Sequence, residues 1–419
     1  MKKGILSLLV ILMVIFAYST EIIVWHGITD PKGKAVLDKL VKDFEEENPG
    51  ITVRLQASIG NNDGDDTKLI ASVAAQQVPD VYYIDRFVIA QRAYNKVVQP
   101  IDVQLEKAGY DVKKIKNEFF DFAIAECEFN GALYGLPFET DTRVMFYNKD
   151  LIKAAGGDPE KPPRTVKEVE ELANKITKKI GRRVVQIGFI PWAYQGWPYT
   201  YGWAFGGEFY DVNTKKFIFA EDENVIKSFE WQKEYAKNHD KNSLDAFISM
   251  NAGDLNPFKA NRMGMMVDGN WSLRGIQDLG INYGIAPVPG TDPNHISTWA
   301  GGHGWVIPKK ANHPLEAAKF IYFMSTKGQI EYAVDRGYLP TIKEAVPKLI
   351  EKDPSLKPFT DVLPYAKSRP AVPIGSLAWD ELTKARDQIL DGADVRETLK
   401  HAQKVLNDEM EKIEKELSK

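Results

Sequence analysis

The chain has 419 residues, of which 44% are hydrophobic, 27% charged and 11% aromatic. At about 100–200 residues per domain, this length predicts two domains, each large enough for its own core. The 20 Phe, 17 Tyr and 9 Trp exclude a disordered chain, and a formal charge of −4 argues against a nucleic-acid-binding role. The single cysteine, Cys127, excludes an intrachain disulfide and any metal site that needs several cysteines.

Residues 1–19 have the pattern of a secretory signal peptide. Lys2 and Lys3 precede the uncharged, mostly apolar run 5–18, and the small residues Ala17 and Ser19 stand at −3 and −1 from the expected cleavage site. A helix of that run would rise only about 21 Å, too little for a hydrocarbon core of about 30 Å. We therefore expect a soluble mature chain outside the cytoplasm. An uncleaved membrane anchor and a buried N-terminal helix are the alternatives.

After this segment, strand and helix patterns alternate. Residues 21–25, 51–55 and 81–84 have strand character, and the segments between them carry apolar residues at helical spacing over 36–44 and 67–77. This order predicts a mostly parallel, doubly wound sheet with helices on its faces. Ligands on such sheets bind beyond the carboxyl ends of the strands.

A second region of the same kind follows in the middle of the chain. Residues 133–147 are rich in strand-forming residues, Thr165 and Glu168 form a capping box that opens a helix over 166–180, and 184–190 returns as a strand. No linker separates the two regions. We therefore expect two α/β lobes that the chain connects by more than one crossing.

Common catalytic and metal-binding signatures are absent from the sequence. There is no GxSxG or HExxH, and the six histidines form no pair at metal-ligand spacing. The glycines of 27–34 are wrongly spaced for a phosphate loop, and the acidic loop 61–66 does not fit a calcium loop. We expect no metal and no cofactor. A pair of catalytic carboxylates would leave no local motif, so these absences lower the case for an enzyme without excluding it.

Aromatic residues are concentrated in one segment. Seven of the fourteen residues from Trp192 to Phe205 are Trp, Tyr or Phe. The flat apolar face of a sugar ring stacks on such side chains, while its hydroxyls need amide and carboxylate partners. Trp192 and Trp197 are therefore candidate ligand contacts, although packing in the core is the alternative for every tryptophan. For Trp203, Trp231 and Trp305 we expect the core.

Polar partners for a sugar occur beside further aromatics and near predicted strand ends. Asp85 and Asp141 each interrupt an apolar or strand-forming segment, where burial of an unpaired charge would be costly. A ligand hydroxyl or an arginine must therefore pair with each of them. Arg86 and Arg143 are the local candidates for a purely structural ion pair. The other candidates in glycine-rich or aromatic segments are His26, Asp268, Asn270, Trp271, Trp299 and His303.

Four blocks together resemble the extracellular solute-binding proteins of ABC importers, in the carbohydrate-binding branch that includes maltose-binding proteins. They keep the family's order and cover nearly all of the mature chain. The blocks are PGITVRL with AAQQVPDVYYID (49–85), NGALYGLPFETDTRVMFYNKDLIKAAG with PPRTVKEVEEL (130–172), FKANRMGMMVDGNW with YGIAPVPG (258–290), and WAGGHGWVIPKKANHPLEAAKFIYFMS with GYLPTIKEA (299–345).

The resemblance implies a two-lobed clamshell of the type II periplasmic-binding-protein fold, each lobe a mostly parallel sheet flanked by helices. The N-terminal lobe would hold residues 20–129 and 300–334, and the C-terminal lobe 130–299 and 335–419. The ligand would lie between the lobes. The residues expected at the ligand are His26, Asp66, Asp85, Arg86, Glu139, Asp141, Trp192, Trp197, Asp268, Asn270, Trp271, Trp299, Gly301, Gly302, His303 and Trp379.

The predicted function is a periplasmic receptor that captures a sugar, oligosaccharide or polyol and delivers it to an ABC permease without catalysis. Many relatives carry a lipidated cysteine after the signal, whereas the sole cysteine here is Cys127, so we expect no lipid anchor. We also expect a monomer. A secreted glycosidase or lyase and a chemosensory sugar-binding domain are the alternatives. The charge of the ligand stays open, because Arg86 and Arg369 could receive an anionic group.

Overall fold

The computed structural model describes residues 19–58, 66–181, 183–250 and 256–418. The predicted signal peptide lies almost entirely outside these ranges. The strands are β1 (Thr20–His26), β2 (Ile51–Ala57), β3 (Val81–Asp85), β4 (Val98–Gln99), β5 (Glu128–Phe129), β6 (Ala132–Leu133), β7 (Gly135–Pro137), β8 (Arg143–Asn148), β9 (Lys178–Ile180), β10 (Arg183–Gln186), β11 (Tyr210–Asp211), β12 (Lys216–Phe217), β13 (Met265–Gly269), β14 (Tyr283–Ala286), β15 (Thr298–Trp299), β16 (His303–Pro308) and β17 (Ala366–Lys367).

Helices alternate with these strands and then dominate the C-terminal quarter of the chain. They are α1 (Pro31–Glu47), α2 (Thr67–Ala75), α3 (Ile89–Tyr94), α4 (Asp102–Lys107), α5 (Val112–Glu118), α6 (Asp121–Ala125), α7 (Lys149–Ala154), α8 (Val166–Ile176), α9 (Pro198–Ala204), α10 (Glu223–His239), α11 (Lys241–Ser249), α12 (Ser272–Asp278), α13 (Pro314–Phe323), α14 (Gln329–Arg336), α15 (Ala345–Lys352), α16 (Lys357–Thr360), α17 (Gly375–Leu390) and α18 (Val395–Leu417).

The first sheet has six strands and is parallel on one side. Its order is β2-β1-β3-β16-β4, and β7 also pairs with β16. β1 runs parallel to β2 and β3, whereas β16 runs antiparallel to β3, β4 and β7. Because of this reversal, the first residue of β16, His303, lies opposite the last residue of β3, Asp85. The carboxyl edge of the parallel strands therefore gains a residue from a distant part of the chain.

Helix α1 covers one face of this sheet. It begins after Asp30, whose side chain accepts a hydrogen bond of 2.9 Å from the backbone N–H of Gly33, with Pro31 at the first helical position. Its buried residues recur every three or four positions and end with Phe44, whose ring meets Phe320 edge-on at 5.1 Å. Burial of this stripe holds the strands and helices of the first sheet around one core.

The second sheet is antiparallel, which differs from the predicted mostly parallel arrangement of the second lobe. β8 lies between β13 and β14 and runs antiparallel to both. The chain enters this sheet along β8 and returns twice in the opposite direction, so β13 and β14 are parallel to each other but not neighbours. The α/β character of the region is as predicted, and the buried strand β8 supplies Val144 and Phe146 to one face and Met145 and Tyr147 to the other.

The chain leaves or enters the first sheet at two places near the second sheet. Residues 138–142 join β7 of the first sheet to β8 of the second, and residues 300–302 join β15, which pairs with β17 in a separate two-stranded sheet, to β16 of the first sheet. A bridge between Thr140 and Leu339 brings the segment after α14 to the same region. The lobe boundaries at 129/130, 299/300 and 334/335 stay a prediction, and the sheet membership of β7 favours a first crossing at 138–142.

A helical layer made by α10, α17 and α18 forms a further core. Leu382 and Ile389 of α17 and Leu399 and Leu406 of α18 are almost fully buried in it. This packing fixes the direction of α17, whose first two turns carry Ser376, Trp379 and Asp380. Ser376, Trp379 and Asp380 are thus held in place by a helix whose apolar face is buried in this core.

Candidate ligand-binding cleft

A cleft of about 580 Å³ opens at the carboxyl edge of the first sheet, facing the N-terminal end of α17. Its lining joins residues that are up to 295 positions apart, if Asp85 and Asp380 are taken as the ends. The lining residues are Asp85, Phe87, Val88, Asp141, Arg143, Gln195, Trp197, Trp299, Gly301, Gly302, His303, Arg369, Ser376, Trp379 and Asp380.

Three tryptophans form one side of this cleft. The ring of Trp379 lies 4.9 Å from that of Trp197 and 5.7 Å from that of Trp299, measured between ring centroids. Trp299 is in β15 and buried, whereas Trp197 and Trp379 are half-buried. The guanidinium of Arg143 lies 3.8 Å from the centre of the Trp299 ring, a cation–π distance. An apolar surface edged with hydrogen-bonding groups therefore faces the cleft.

Asp85 and Arg369 form an ion pair across the cleft. Nη2 of Arg369 donates to Oδ1 and Oδ2 of Asp85 at 3.1 and 3.4 Å, and its guanidinium lies 3.9 Å above the Phe87 ring. Asp85 also accepts from the backbone N–H of Phe87 at 3.1 Å. Burial by itself would raise the pKa of Asp85, but the charges of Arg369 and His303 outweigh it and lower that pKa below 3.8. Asp85 is therefore a carboxylate at neutral pH.

A second ion pair joins Asp141 to Arg143. Oδ1 of Asp141 also accepts from the backbone N–H of Gly301 at 2.8 Å, so the crossing segment 138–142 is tied to the crossing segment 300–302. Nε of Arg143 donates to Oε1 of Gln195 at 3.2 Å. The guanidinium is thereby held against the Trp299 ring, and its N–H groups bond to a carboxylate and an amide.

His303 is oriented by a buried carboxylate. Its Nδ1 lies 2.6 Å from Oε1 of Glu139, which also accepts from the backbone N–H of His303 and the hydroxyl of Tyr83. The Tyr83 ring stacks on the imidazole at 4.7 Å. Burial by itself would lower the pKa of His303, but the hydrogen bond and charge of Glu139 outweigh it and raise that pKa above 6.5. Because Nδ1 is bonded to Glu139, Nε2 is the imidazole nitrogen of His303 that remains for a ligand. Glu139 holds the imidazole in this orientation.

This pair gives a pH-dependent prediction. Burial alone would raise the pKa of Glu139, but His303 lowers it below 4.5, while the pKa of His303 is raised. The stability that the pair of Glu139 and His303 contributes to the fold is therefore lost as pH falls through the lowered pKa of Glu139 or rises through the raised pKa of His303. We expect Glu139→Gln to lower the pKa of His303 and to remove this dependence. NMR titration of His303 and urea unfolding between pH 5 and 8 measure both effects.

The other histidines serve as internal references in that titration, and wild-type protein is the control for every other titrating group. An unchanged titration of His303 in the Glu139→Gln variant would contradict the pairing. A stability difference between the two proteins that did not vary with pH would contradict it as well.

Arg86, expected at the ligand, is instead a fully buried connector. Its Nε lies 3.2 Å from Glu126, and its two Nη groups donate to the backbone oxygens of Glu139, Gly301 and His303. Burial raises the pKa of Glu126 to about 7 although Arg86 lies against it. These hydrogen bonds hold both crossing segments together. Because Arg86 has no exposed surface, it does not line the cleft.

Several other predicted contacts also lie outside the lining of this cleft. His26 is buried at the end of β1, and burial lowers its pKa below 6.5. Asp66 forms a buried ion pair with Arg92, including a bond of 2.6 Å from Nη2. Trp192 donates from Nε1 to Asp245 at 2.8 Å and packs edge-on against Tyr235. The side chains of Asp66 and Trp192 are therefore bonded to groups outside the cleft.

The residues of the segment 268–271 either bond to neighbouring backbone and side chains or line a second groove beside the cleft. Asp268 accepts from the Gly269 N–H at 2.9 Å and from the Ser272 hydroxyl, at the start of α12, and burial raises its pKa. Asn270 accepts from the Thr142 N–H at 3.4 Å. Trp271 is 42% exposed and, with Asn270, lines a groove of about 540 Å³. Its ring lies 5.1 Å from the guanidinium of Arg143, which lines the cleft itself.

The cleft therefore brings together eight of the predicted residues: Asp85, Asp141, Trp197, Trp299, Gly301, Gly302, His303 and Trp379. Phe87, Val88, Gln195, Ser376 and Asp380 were not predicted, and Arg143 and Arg369 were expected only as ion-pair partners or anion ligands. Gln195 stands inside the aromatic run and Asp380 directly follows Trp379. Their proximity in sequence to a predicted tryptophan could have indicated that these two residues line the cleft. Nothing in the sequence indicated this for Ser376.

Metal-binding clusters and membrane-spanning helices are both absent from the described part of the chain. Over residues 19–58, 66–181, 183–250 and 256–418, no group of three or more His, Cys, Asp and Glu side chains is arranged to hold a metal ion. In the same ranges, no helix is long and apolar enough to cross a membrane.

Residues 39–358 match the family of bacterial extracellular solute-binding proteins, so the chain belongs to this family. It is 25% identical to a maltotriose-binding protein of Pyrococcus abyssi over 406 residues, covering 92% of this chain and 81% of that protein. It is 26% identical to an sn-glycerol-3-phosphate-binding periplasmic protein of Brucella abortus over 345 residues, covering 80% of this chain and 77% of that protein.

Solved structures extend the likeness to the fold. A structure of CpMnBP1 with mannobiose bound superposes with a TM-score of 0.77 at 26% identity, covering 91% of this chain and 98% of that one. This confirms the predicted two-lobed solute-binding fold. The three relatives are binding proteins, and the family is extracellular.

Proposed function

We propose that this protein is the substrate receptor of an ABC importer and that it captures a carbohydrate or polyol in the cleft between its lobes. The observation that carries the proposal is the tryptophan cluster of Trp197, Trp299 and Trp379, which shares one cleft with ion-paired carboxylates and guanidiniums. The ring faces suit the C–H face of a sugar, and the paired charges suit its hydroxyls. The names of the related binding proteins, for maltotriose and for mannobiose, support the same ligand class.

Closure of the lobes around the ligand is the conformational step of this function. Asp85 and His303 stand at the edge of the first sheet, whereas Trp299 and Trp379 belong to the core of α10, α17 and α18. A ligand that contacts both sides is bound most tightly when the sides approach, so it stabilises the closed form. The closed form would then dock on the permease. We place the lobe boundaries at the crossing segments 138–142 and 300–302 and after α14.

The mature protein would act in the periplasm as a monomer, without catalysis and without a lipid anchor. The sole cysteine, Cys127, is fully buried in the first core, which argues against lipid attachment at this residue. The ligand contacts we propose are the eight predicted residues of the cleft together with Arg143, Gln195, Arg369 and Asp380.

Isothermal titration calorimetry tests the proposal, with maltotriose, mannobiose and a wider panel of sugars and polyols as probes. We expect one-to-one binding of at least one neutral compound, and a smaller radius of gyration in small-angle X-ray scattering when it is bound. No binding across the panel, together with no compaction, would refute the receptor. Incubation with the same oligosaccharides should yield no products, whereas turnover would favour a glycosidase.

A further inference from the structure

The charged groups that line the cleft are matched to one another. Arg369 pairs with Asp85, Arg143 pairs with Asp141, and Nδ1 of His303 is hydrogen-bonded to Glu139 directly behind the lining. Asp380 is the remaining charged residue of the lining, and it has no ion-pair partner in the described ranges of the chain. If His303 is counted as a cation, three positive groups face four carboxylates. The cleft thus carries no excess of positive charge with which to hold an anion.

The arginines are also held in place by more than their carboxylates. Besides Asp85, Arg369 lies 3.9 Å from the Phe87 ring and 5.2 Å from the Trp299 ring. Besides Asp141, Arg143 donates to Gln195 at 3.2 Å and lies 3.8 Å from the Trp299 ring. Turning either guanidinium towards a phosphate would break an ion pair and leave its carboxylate without a compensating charge.

The helix terminus that faces the cleft is occupied as well. The N-terminus of the sixteen-residue helix α17 could receive an anion at its backbone N–H groups. There, however, Oε1 of Gln91 accepts from the hydroxyl of Ser376 at 2.8 Å and from its backbone N–H at 3.3 Å. Asp380, one turn further along α17, would also repel an anion bound at this end.

We propose that the ligand of this cleft is an uncharged carbohydrate or polyol, and that the ion-paired lining excludes phosphorylated and acidic sugars. This inference rests on the proposed function and narrows its ligand class. Hydroxyl groups can donate to Asp85, Asp141 and Asp380 and accept from the arginines without breaking an ion pair. A phosphate monoester adds about 1.5–2 negative charges at neutral pH and would meet a lining that is already neutral or negative.

The test compares matched neutral and charged compounds by calorimetry on the wild-type protein. The pairs are glucose with glucose 6-phosphate and glucuronic acid, mannose with mannose 6-phosphate, and glycerol with sn-glycerol 3-phosphate. The neutral oligosaccharides of the panel are included. We expect the tightest ligand to be neutral, and each charged partner to bind at least 100-fold more weakly than its neutral counterpart or not at all.

Two charge-neutralised variants test the stated cause. Asp380→Asn removes the unpaired carboxylate, and Asp85→Asn releases Arg369 from its ion pair. For each variant we expect the dissociation constant of a charged compound, divided by that of its neutral partner, to fall at least tenfold relative to the wild-type value. The ratio is the appropriate quantity because both substitutions also remove hydroxyl acceptors. Glu223→Gln, which affects an exposed ion pair with Arg396, is the matched control and should leave the ratio unchanged.

The outcomes separate this inference from the function on which it rests. A charged compound that binds as tightly as its neutral partner, or more tightly, would overturn the inference and leave a receptor for anionic ligands. Unchanged ratios in both cleft variants would overturn the electrostatic cause. Absence of binding for every compound, neutral and charged, would overturn the inference together with the proposed function.

Discussion

Replacing Arg86 with methionine is expected to lower the free energy of unfolding by about 3–5 kcal/mol, because it leaves a buried carboxylate and several carbonyls without their donor. Arg86 forms a buried ion pair with Glu126 and donates to the backbone oxygens of Glu139, Gly301 and His303. Both crossing segments that meet at the cleft would lose their common anchor. Urea unfolding followed by tryptophan fluorescence measures the change.

The size of this loss should depend on pH. Burial already raises the pKa of Glu126 to about 7, and loss of Arg86 should raise it further. An acid whose pKa is raised in the folded state destabilises the fold increasingly as pH rises from its unfolded-state pKa to its folded-state pKa. The Arg86→Met variant should therefore be closer to wild type at pH 5 than at pH 8.

Two further variants make the Arg86 result specific. Adding Glu126→Gln to Arg86→Met should restore part of the stability, because the uncompensated charge is gone. Arg54→Met, which breaks an exposed pair with Glu21, should cost no more than about 1 kcal/mol. A loss of less than about 1 kcal/mol for Arg86→Met, independent of pH, would contradict the connector role of Arg86.

Replacing Trp379 with alanine is expected to weaken binding of the neutral ligand by about 10- to 100-fold, or about 1.4–2.8 kcal/mol. The Trp379 ring lies 4.9 Å from that of Trp197 and 5.7 Å from that of Trp299, so its removal takes away the middle of the apolar surface. Trp379→Phe should retain most of the affinity because a ring face remains. Calorimetry with the tightest compound of the panel measures the dissociation constants.

Trp192→Ala is the matched control for this prediction. Trp192 belongs to the same aromatic-rich part of the sequence as Trp197, but it bonds to Asp245 and packs on Tyr235, away from the cleft lining. We expect it to lower stability and leave affinity within about twofold of wild type. Equal losses of affinity in the two alanine variants would show that the aromatic surface is not placed as proposed.

The aromatic run illustrates how far composition could lead. Seven rings in fourteen residues predicted a ligand platform, yet Tyr199, Tyr201, Trp203 and Phe205 are buried in two cores. Within the run, Trp197 reaches the cleft lining together with Gln195. Ring content indicates how much surface a segment can bury or stack, but the direction of each ring depends on the helix it belongs to, here α9 and its packing against α10.

The order of strands and helices followed from local pattern and from resemblance. Strands β1, β2 and β3, helix α1 and its buried stripe, and the capping box of Thr165 and Glu168 occur as predicted, since hydrophobic period and capping chemistry act over a few residues. The direction of β13 and β14 relative to β8 did not follow, because strand pairing depends on how distant segments return to a sheet.

By itself, then, the sequence determined the family, the alternation of elements and the residue types available for binding a sugar. The tertiary structure decided which of them act together. Asp85 and Arg369 are 284 positions apart and pair at 3.1 Å, and Asp141 meets the Gly301 N–H across 160 positions. A lone charge in the sequence predicts that some partner must exist. Its identity, and therefore whether an arginine is free to bind an anion, is set by the crossings that bring distant segments to one cleft.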